Sequence, residues 1–198
     1  MQEKKIRLTS GELSYFAAGS GRPLLYLHPA GGVRRSKVLE GLAQSFSLHV
    51  PVIPGWEGTE LHPGVSSRIA LANLVAEFHA GVIGKSCDVM GWSFGGAVAL
   101  WLALERPELV ERLVLECPAG LLNIDKRIKR VNRKLLEHYT LILQGTNDGT
   151  IPKASAEWLA RQLQRASLVL IDQAGHDLEK DQPEPVLAAA REFLNLSR

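Results

Sequence analysis

The sequence predicts a single α/β domain with a mostly parallel central sheet of about eight strands and helices on both faces. Short apolar runs alternate with amphipathic segments along most of the chain, which is typical of a parallel sheet covered by helices. A length of 198 residues suits one domain with a substantial core. Hydrophobic residues make up 45% and charged residues 22%, an ordinary globular composition.

Eight short apolar runs are the predicted strands. The first two flank Gly11 and are expected to pair antiparallel, whereas the later ones are separated by helical segments and are expected to be parallel. The predicted strands are 6–10, 13–17, 24–27, 48–53, 87–90, 113–115, 140–143 and 168–171.

Six segments with helical periodicity lie between or after these strands. The predicted helices are 38–46, 69–82, 97–105, 123–137, 154–164 and 185–196. In sheets of this type reactive groups gather in loops beyond the carboxyl ends of the strands. Candidate functional residues are therefore expected directly after strands.

The most informative motif is Gly91-Trp-Ser93-Phe-Gly95, between the strand at 87–90 and the helix at 97–105. A serine at such a sharp strand-to-helix turn is held in a strained backbone conformation that exposes its hydroxyl. Gly91 and Gly95 must lack side chains, because the strand and helix backbones approach closely there. Ser93 is the predicted nucleophile; the alternative is a glycine-rich turn with an incidental serine.

A serine nucleophile needs a base and an orienting carboxylate. His176 follows the last predicted strand in a loop with Gly175, which suits a general base. Asp148 follows the strand at 140–143 and is the predicted acid, with Glu116, at the end of the strand 113–115, as the alternative. The chain order Ser93, Asp148, His176 is the one expected for a nucleophile elbow of this architecture.

An oxyanion hole requires two backbone N–H groups. Phe94, the residue after the nucleophile, is one predicted donor. Ala30 is the other, because Pro29 before it has no N–H, and Gly31 is the fallback. His28 is expected to hold this loop by hydrogen bonds.

Aromatic residues near the same end of the sheet are candidates for the substrate pocket. They are Trp56, Trp92 and Phe94. The histidines carry no spacing typical of a metal site, so no metal is predicted. Cys87 and Cys117 have no metal-site spacing either and are expected to be buried, reduced thiols.

These motifs together resemble those of the α/β-hydrolase superfamily, and they run through nearly the whole chain in the right order. The resemblance implies the α/β-hydrolase fold, a Ser-His-Asp triad and no cofactor, but it specifies no substrate. One departure is Pro29, where relatives usually carry glycine. The matching segments are 28–32, 54–59, 91–96, 145–148 with Pro152, and 175–176 followed by 183–184.

A second departure concerns the cap. Relatives usually insert helices after the strand that follows the elbow helix, whereas residues 116–139 leave room here for about one short connecting helix. We therefore expect a minimal cap and an open or vestigially covered site. The predicted helix 124–137 has an apolar face and is otherwise strongly basic, which fits a solvated face, a surface for anionic acyl substrates or membranes, or a nucleic-acid contact.

The predicted function is a serine esterase that cleaves a carboxylic ester or related acyl substrate through an acyl-enzyme. Thioesterase, carbon–carbon bond hydrolase and cofactor-free perhydrolase activities use the same triad and remain alternatives. The short cap disfavours the carbon–carbon hydrolase. A receptor-like ligand-binding protein with little turnover is the alternative from another class.

The remaining expectations concern partners and location. A net charge of +2 gives no argument for a nucleic-acid partner. There is no signal-peptide pattern and no apolar run of about 18 residues, so a cytoplasmic protein without stable membrane insertion is expected. The expected partner is a small-molecule acyl substrate, and a missing cap could expose apolar surface suited to a homo-oligomer.

Overall fold

The computed structural model describes residues 1–121 and 138–195. Within them lies one eight-stranded sheet in the order β1-β2-β4-β3-β5-β6-β7-β8. β1 pairs antiparallel with β2, and β2 pairs antiparallel with β4, whereas the other neighbours are parallel. The strands are β1 Gln2–Leu8, β2 Gly11–Ala18, β3 Arg22–Leu27, β4 Phe46–Pro51, β5 Cys87–Trp92, β6 Val110–Glu116, β7 Tyr139–Gly145 and β8 Ala166–Ile171. The predicted sheet is confirmed.

Six α-helices connect or follow these strands in the described residues. They are α1 Lys37–Leu42, α2 Arg68–Val82, α3 Phe94–Glu105, α4 Lys153–Gln162, α5 Leu178–Asp181 and α6 Pro183–Leu194. Ser36 and Ser67 cap α1 and α2, because each side chain accepts a hydrogen bond from a first-turn N–H at 3.1 Å.

The sheet separates two apolar clusters. One lies under α2, α3 and α4 and includes Phe78 and Leu100. The other lies under α1 and α6 and includes Phe46 and Leu194. β5 is buried along its whole length because it lies in the middle of the sheet with helices on both faces. The serine that follows β5 is therefore held by a rigid strand.

Several elements differ from the prediction in their boundaries or their existence. The helix predicted over 38–46 ends at Leu42, and Phe46 begins β4, where it is buried beside Arg22 of β3. The short helix α5 was not predicted. The last helix begins at Pro183, two residues early, since proline suits the first helical turn.

Residues 122–137 lie outside the described residues. They include the predicted helix 123–137 with its basic segment 124–137, and most of the connection 116–139. Among the described residues, no helix is both long enough and apolar enough to cross a membrane.

Candidate active site

The turn between β5 and α3 has the predicted strained geometry. Ser93 has φ 52° and ψ −111°, a conformation that L-residues rarely adopt. Its N–H donates to the Glu116 carbonyl at 2.8 Å, and its carbonyl accepts from Ala97 and Ala119, each at 3.0 Å. These bonds to β6 and α3 offset the local strain.

The two flanking glycines are needed for close packing. A side chain at Gly95 would overlap the Leu27 carbonyl oxygen, and one at Gly91 would overlap the backbone of Gly95. The prediction that both positions must lack side chains is confirmed. The same contact brings the loop that follows β3 against the start of α3.

The structure brings Ser93, His176 and Asp148 into one hydrogen-bonded chain. His176 Nε2 lies 2.9 Å from Ser93 Oγ, and His176 Nδ1 lies 2.9 Å from Asp148 Oδ2. The Asp148 side chain is fully buried, and the His176 side chain is 25% exposed. His176 is 83 positions from Ser93 and 28 positions from Asp148 in the chain, yet the three residues meet at one edge of the sheet.

Asp148 is held as a carboxylate. Its burial raises the pKa, but hydrogen bonds from His176 and from backbone N–H groups outweigh this and lower the pKa below the usual value. Oδ1 accepts from the N–H groups of Thr150 and Ile151 at 2.8 and 2.9 Å. Oδ2 accepts from Gln144 Nε2 at 3.0 Å as well as from His176.

This carboxylate determines the tautomer of His176. An ionised carboxylate can only accept, so Nδ1 of His176 must carry the proton that faces Asp148. In the neutral ring Nε2 is then an acceptor, and the Ser93 hydroxyl is the donor at 2.9 Å. The arrangement can move the serine proton onto the histidine.

The loop after β3 is held by His28, as predicted. His28 is fully buried, and its Nδ1 lies 2.8 Å from the Pro29 carbonyl while its Nε2 accepts from the Ile53 N–H at 2.9 Å. Burial lowers the pKa of His28, which suits a neutral ring with one donor and one acceptor nitrogen. Ala30 lies in the turn of this loop, and Phe94 is the first residue of α3, where N–H groups have no acceptor within the helix.

The aromatic candidates lie on two sides of the sheet. Trp56 and Phe94 pack against the cluster under α2 and α3, with ring centroids 6.2 Å apart. Trp92 lies in the opposite cluster and is only 3% exposed. Its Nε1–H donates to the His176 carbonyl at 3.0 Å. Trp92 therefore holds the loop that follows β8 and carries His176, which we call the histidine loop. The sequence did not indicate this role.

Two further positioning residues were missed from sequence. Gln144 is buried and donates to both Asp148 and the Ile151 carbonyl, so it fixes the loop that carries the acid. Asp181 of α5 accepts from the Gly175 N–H at 2.8 Å and so fixes the loop that carries the base. A polar residue at the end of the apolar strand β7 is the signal that could have identified Gln144.

Cys117, Asp148 and His176 also have ligand atoms within 4.8 Å of one another, the spacing of a possible cation site. Burial raises the pKa of the Cys117 thiol, which disfavours the thiolate that a metal would need. Asp148 and His176 already form a hydrogen bond with each other. The donor set therefore fits a proton-relaying triad better than a metal centre.

Glu116, the alternative acid, lies in a different environment. It is fully buried beside Glu179, whose carboxyl accepts from the Tyr26 hydroxyl at 2.8 Å. Burial, and then the neighbouring Glu179, raise the pKa of Glu116 well above its ordinary value of 4.5. Burial also raises the pKa of Glu179. Asp148 is the carboxylate that the structure pairs with His176.

We expect Glu116→Gln to stabilise the fold at neutral and alkaline pH. Above pH 4.5 the Glu116 carboxyl ionises in the unfolded chain but keeps its proton in the folded one, so folding becomes less favourable as pH rises. A neutral glutamine removes this dependence. The expected rise in Tm is about 2–4 °C at pH 8, the shift that about 1 kcal/mol produces in a chain of this size, and less at pH 5.

Thermal unfolding of both proteins between pH 5 and pH 8 measures this difference. Glu157→Gln, at a partly exposed position of α4, is the matched control and should show no such pH dependence. A Tm difference between Glu116→Gln and the parent that does not change with pH would contradict the prediction.

Comparisons with known proteins bear on the relatives and the fold of the chain. A family model described as "TAP-like protein" matches residues 113–197. The chain is 28% identical to a pimeloyl-[acyl-carrier protein] methyl ester esterase of Aeromonas hydrophila over 90% of this chain and 68% of that protein. It is 34% identical to the enzyme of the same name from Aeromonas salmonicida over 48% of this chain and 37% of that protein. The chain thus spans about two thirds of the first relative and little more than one third of the second.

Among solved structures, a predicted CIB-like hydrolase from Thermoplasma acidophilum superposes with a TM-score of 0.85 at 18% identity, covering 98% of each chain. The structural similarity shows that the two chains share a fold, which confirms the predicted fold class.

Proposed function

We propose that this chain is an ester hydrolase of the α/β-hydrolase superfamily in which Ser93, His176 and Asp148 form the catalytic triad. The observation that carries the proposal is the position of His176. Its two ring nitrogens lie 2.9 Å from the Ser93 hydroxyl and 2.9 Å from the Asp148 carboxylate. This is the geometry that nucleophilic catalysis by serine requires.

In the first half of the reaction Ser93 Oγ attacks the ester carbonyl carbon while its proton passes to His176 Nε2. Asp148 stabilises the resulting imidazolium through the Nδ1–H bond. The carbonyl oxygen becomes an oxyanion, which the N–H groups of Phe94 and Ala30 would stabilise. His176 then gives its proton to the leaving alcohol, and an acyl-Ser93 ester remains.

In the second half water replaces the alcohol. His176 Nε2 removes a proton from water, whose oxygen attacks the acyl carbon, and a second oxyanion forms at the same N–H groups. Collapse of this intermediate breaks the bond to Ser93 Oγ, which recovers its proton from His176. The products are the carboxylic acid and the free enzyme.

The substrate we propose is an acyl ester with a small alcohol. The relatives from two Aeromonas species are named as methyl ester esterases, and Trp56 with Phe94 offers an apolar surface beside the nucleophile. Thioesters, carbon–carbon bonds and perhydrolysis would use the same triad. A receptor-like protein with little turnover would keep the geometry but lack the second half of the reaction.

Pre-steady-state kinetics on a chromogenic ester tests the proposal. We expect a burst of one leaving group per enzyme, and a mass increase equal to one acyl group on the peptide that contains Ser93. A panel of methyl esters, acyl-thioesters and a vinylogous diketone then ranks the substrate classes by kcat/KM. A burst without steady turnover would indicate the receptor-like alternative, and no acylation of Ser93 would contradict the mechanism.

We also propose a cytoplasmic location. Cys87 and Cys117 are both free and buried, and burial raises the pKa of the Cys87 thiol to about 12. Two protected thiols suit a reducing compartment. Fractionation of the native host measures the location directly.

A further inference from the structure

A cavity lies beside the triad, on the side of the sheet covered by α1. Its volume is about 410 Å³. The segment 34–37 before and at the start of α1 forms one wall, and α5 with Pro183 forms the other. The ring of Trp92 forms the wall nearest the histidine loop. We call this space the α1 cavity.

Four of the nine residues that line the α1 cavity are cations, against two acids. The cations are Arg34, Arg35, Lys37 and Lys180. Arg34 pairs with Asp177 at 2.9 Å, and Lys37 reaches Glu184 at 3.5 Å between two largely exposed side chains. Among residues 1–121 and 138–195, no acid forms an ion pair with Arg35 or Lys180.

The acids that face the cavity do not balance these charges. Asp177 is already paired with Arg34, and Glu179 is 4% exposed with its carboxyl bound to the Tyr26 hydroxyl. Burial raises the pKa of Glu179, so this carboxyl ionises less readily than an exposed one. A positive surface therefore encloses a space large enough for a small organic molecule.

Residues that line the α1 cavity also contact the histidine loop. Trp92 donates to the His176 carbonyl, and the guanidinium of Arg34 lies 5.3 Å from the centre of the Trp92 ring. Asp177, the partner of Arg34, follows His176 in the chain. A ligand in this cavity would contact two groups that hold the catalytic base.

We propose that the α1 cavity binds a small dianion, a phosphate monoester or a dicarboxylate. Guanidinium groups offer paired N–H donors that match the oxygens of phosphate and carboxylate, and lysine adds a compact positive charge. The site is distinct from Ser93 and does not depend on turnover. It is therefore tested by binding, so its failure would leave the esterase proposal unaffected.

Titration followed by the indole N–H resonances in a ¹H–¹⁵N spectrum tests the proposal. The chain has four tryptophans, and only Trp92 lines the α1 cavity among the residues that the structure describes. We expect phenyl phosphate and glutarate to shift the Trp92 indole resonance saturably. Neutral analogues, phenol and glutaramide, should not shift it. Affinity should fall as salt is raised, because the attraction is electrostatic.

The variant Arg35→Gln/Lys180→Gln should bind both dianions at least about tenfold more weakly, since it removes two charge-assisted contacts. Lys153→Gln on α4 removes an exposed cation far from this cavity and is the matched control; its affinity should equal that of the parent. The proposal is overturned if neither dianion gives a saturable Trp92 shift. It is equally overturned if the double variant and the control bind alike.

Inhibition kinetics then identify the source of the dianion. A probe that competes with a neutral ester assigns the α1 cavity to the charged end of the substrate. A probe that binds without competing assigns it to a second ligand. Both results support binding in this cavity, because each requires the saturable Trp92 shift.

Discussion

Ser93→Ala is expected to lower kcat on an activated ester by about 10⁶-fold and to abolish the burst. The hydroxyl is the only nucleophilic atom that the strained turn presents to His176, and Nε2 lies 2.9 Å from it. Alanine leaves the backbone N–H groups and the pocket intact, so substrate should still bind. Loss of kcat with an almost unchanged Kd for a product acid is the expected signature.

Burst amplitude and single-turnover kinetics on the purified variant measure this effect. Ser155→Ala, in the first turn of α4, is the matched control and should keep full activity. Ser93 is held in a left-handed conformation, which alanine tolerates poorly. A thermal unfolding curve is therefore needed to show that the variant is folded. A folded Ser93→Ala protein with more than about one hundredth of parental kcat would refute the nucleophile assignment.

Asp148→Asn is expected to lower kcat by about 10⁴-fold, through the wrong histidine tautomer. Oδ1 of Asp148 accepts from two backbone N–H groups, so the amide oxygen of asparagine must take that place. The NH₂ group then faces His176 and donates to Nδ1. The ring proton moves to Nε2, and the histidine can no longer accept the proton of Ser93.

A control variant and a rival variant test whether Asp148 is the carboxylate that orients His176. Asp172→Asn alters an exposed aspartate near the same loop, 3.4 Å from the Thr146 hydroxyl, and should keep near-parental kcat. If Glu116 oriented the histidine instead, Glu116→Gln would cause the large loss and Asp148→Asn would not. Parallel assays of both variants decide between the two carboxylates.

Much of the fold and the triad could be predicted because their causes are local. The sharp turn at Ser93 requires glycine on both sides, and this requirement is visible in five consecutive residues. Buried parallel strands are continuous apolar runs, so the sites for Asp148 and His176 follow from where those runs end. His28 could be placed because it opens the loop after β3.

The features that were not predicted depend on contacts between distant segments. Trp92 and His176 are 84 positions apart, and nothing in either segment indicates that an indole N–H will meet a backbone carbonyl. Gln144 is an exception: its contacts are local, but they depend on how the loop after β7 folds back on itself. The local periodicity around Phe46 favours a helix. Phe46 nevertheless begins β4, because it pairs with Arg22 at the start of β3.

The two described ends of the connection between β6 and β7 are held by hydrogen bonds to other parts of the fold. The Cys117 N–H donates to Leu143 at 2.8 Å, Ala119 donates to the Ser93 carbonyl at 3.0 Å, and His138 Nε2 lies 3.0 Å from the Pro107 carbonyl. We expect segments exchanged between positions 121 and 138 to leave these hydrogen bonds, and with them the turn at Ser93, in place. The two junctions are therefore suitable points at which an engineer can graft a different connecting segment.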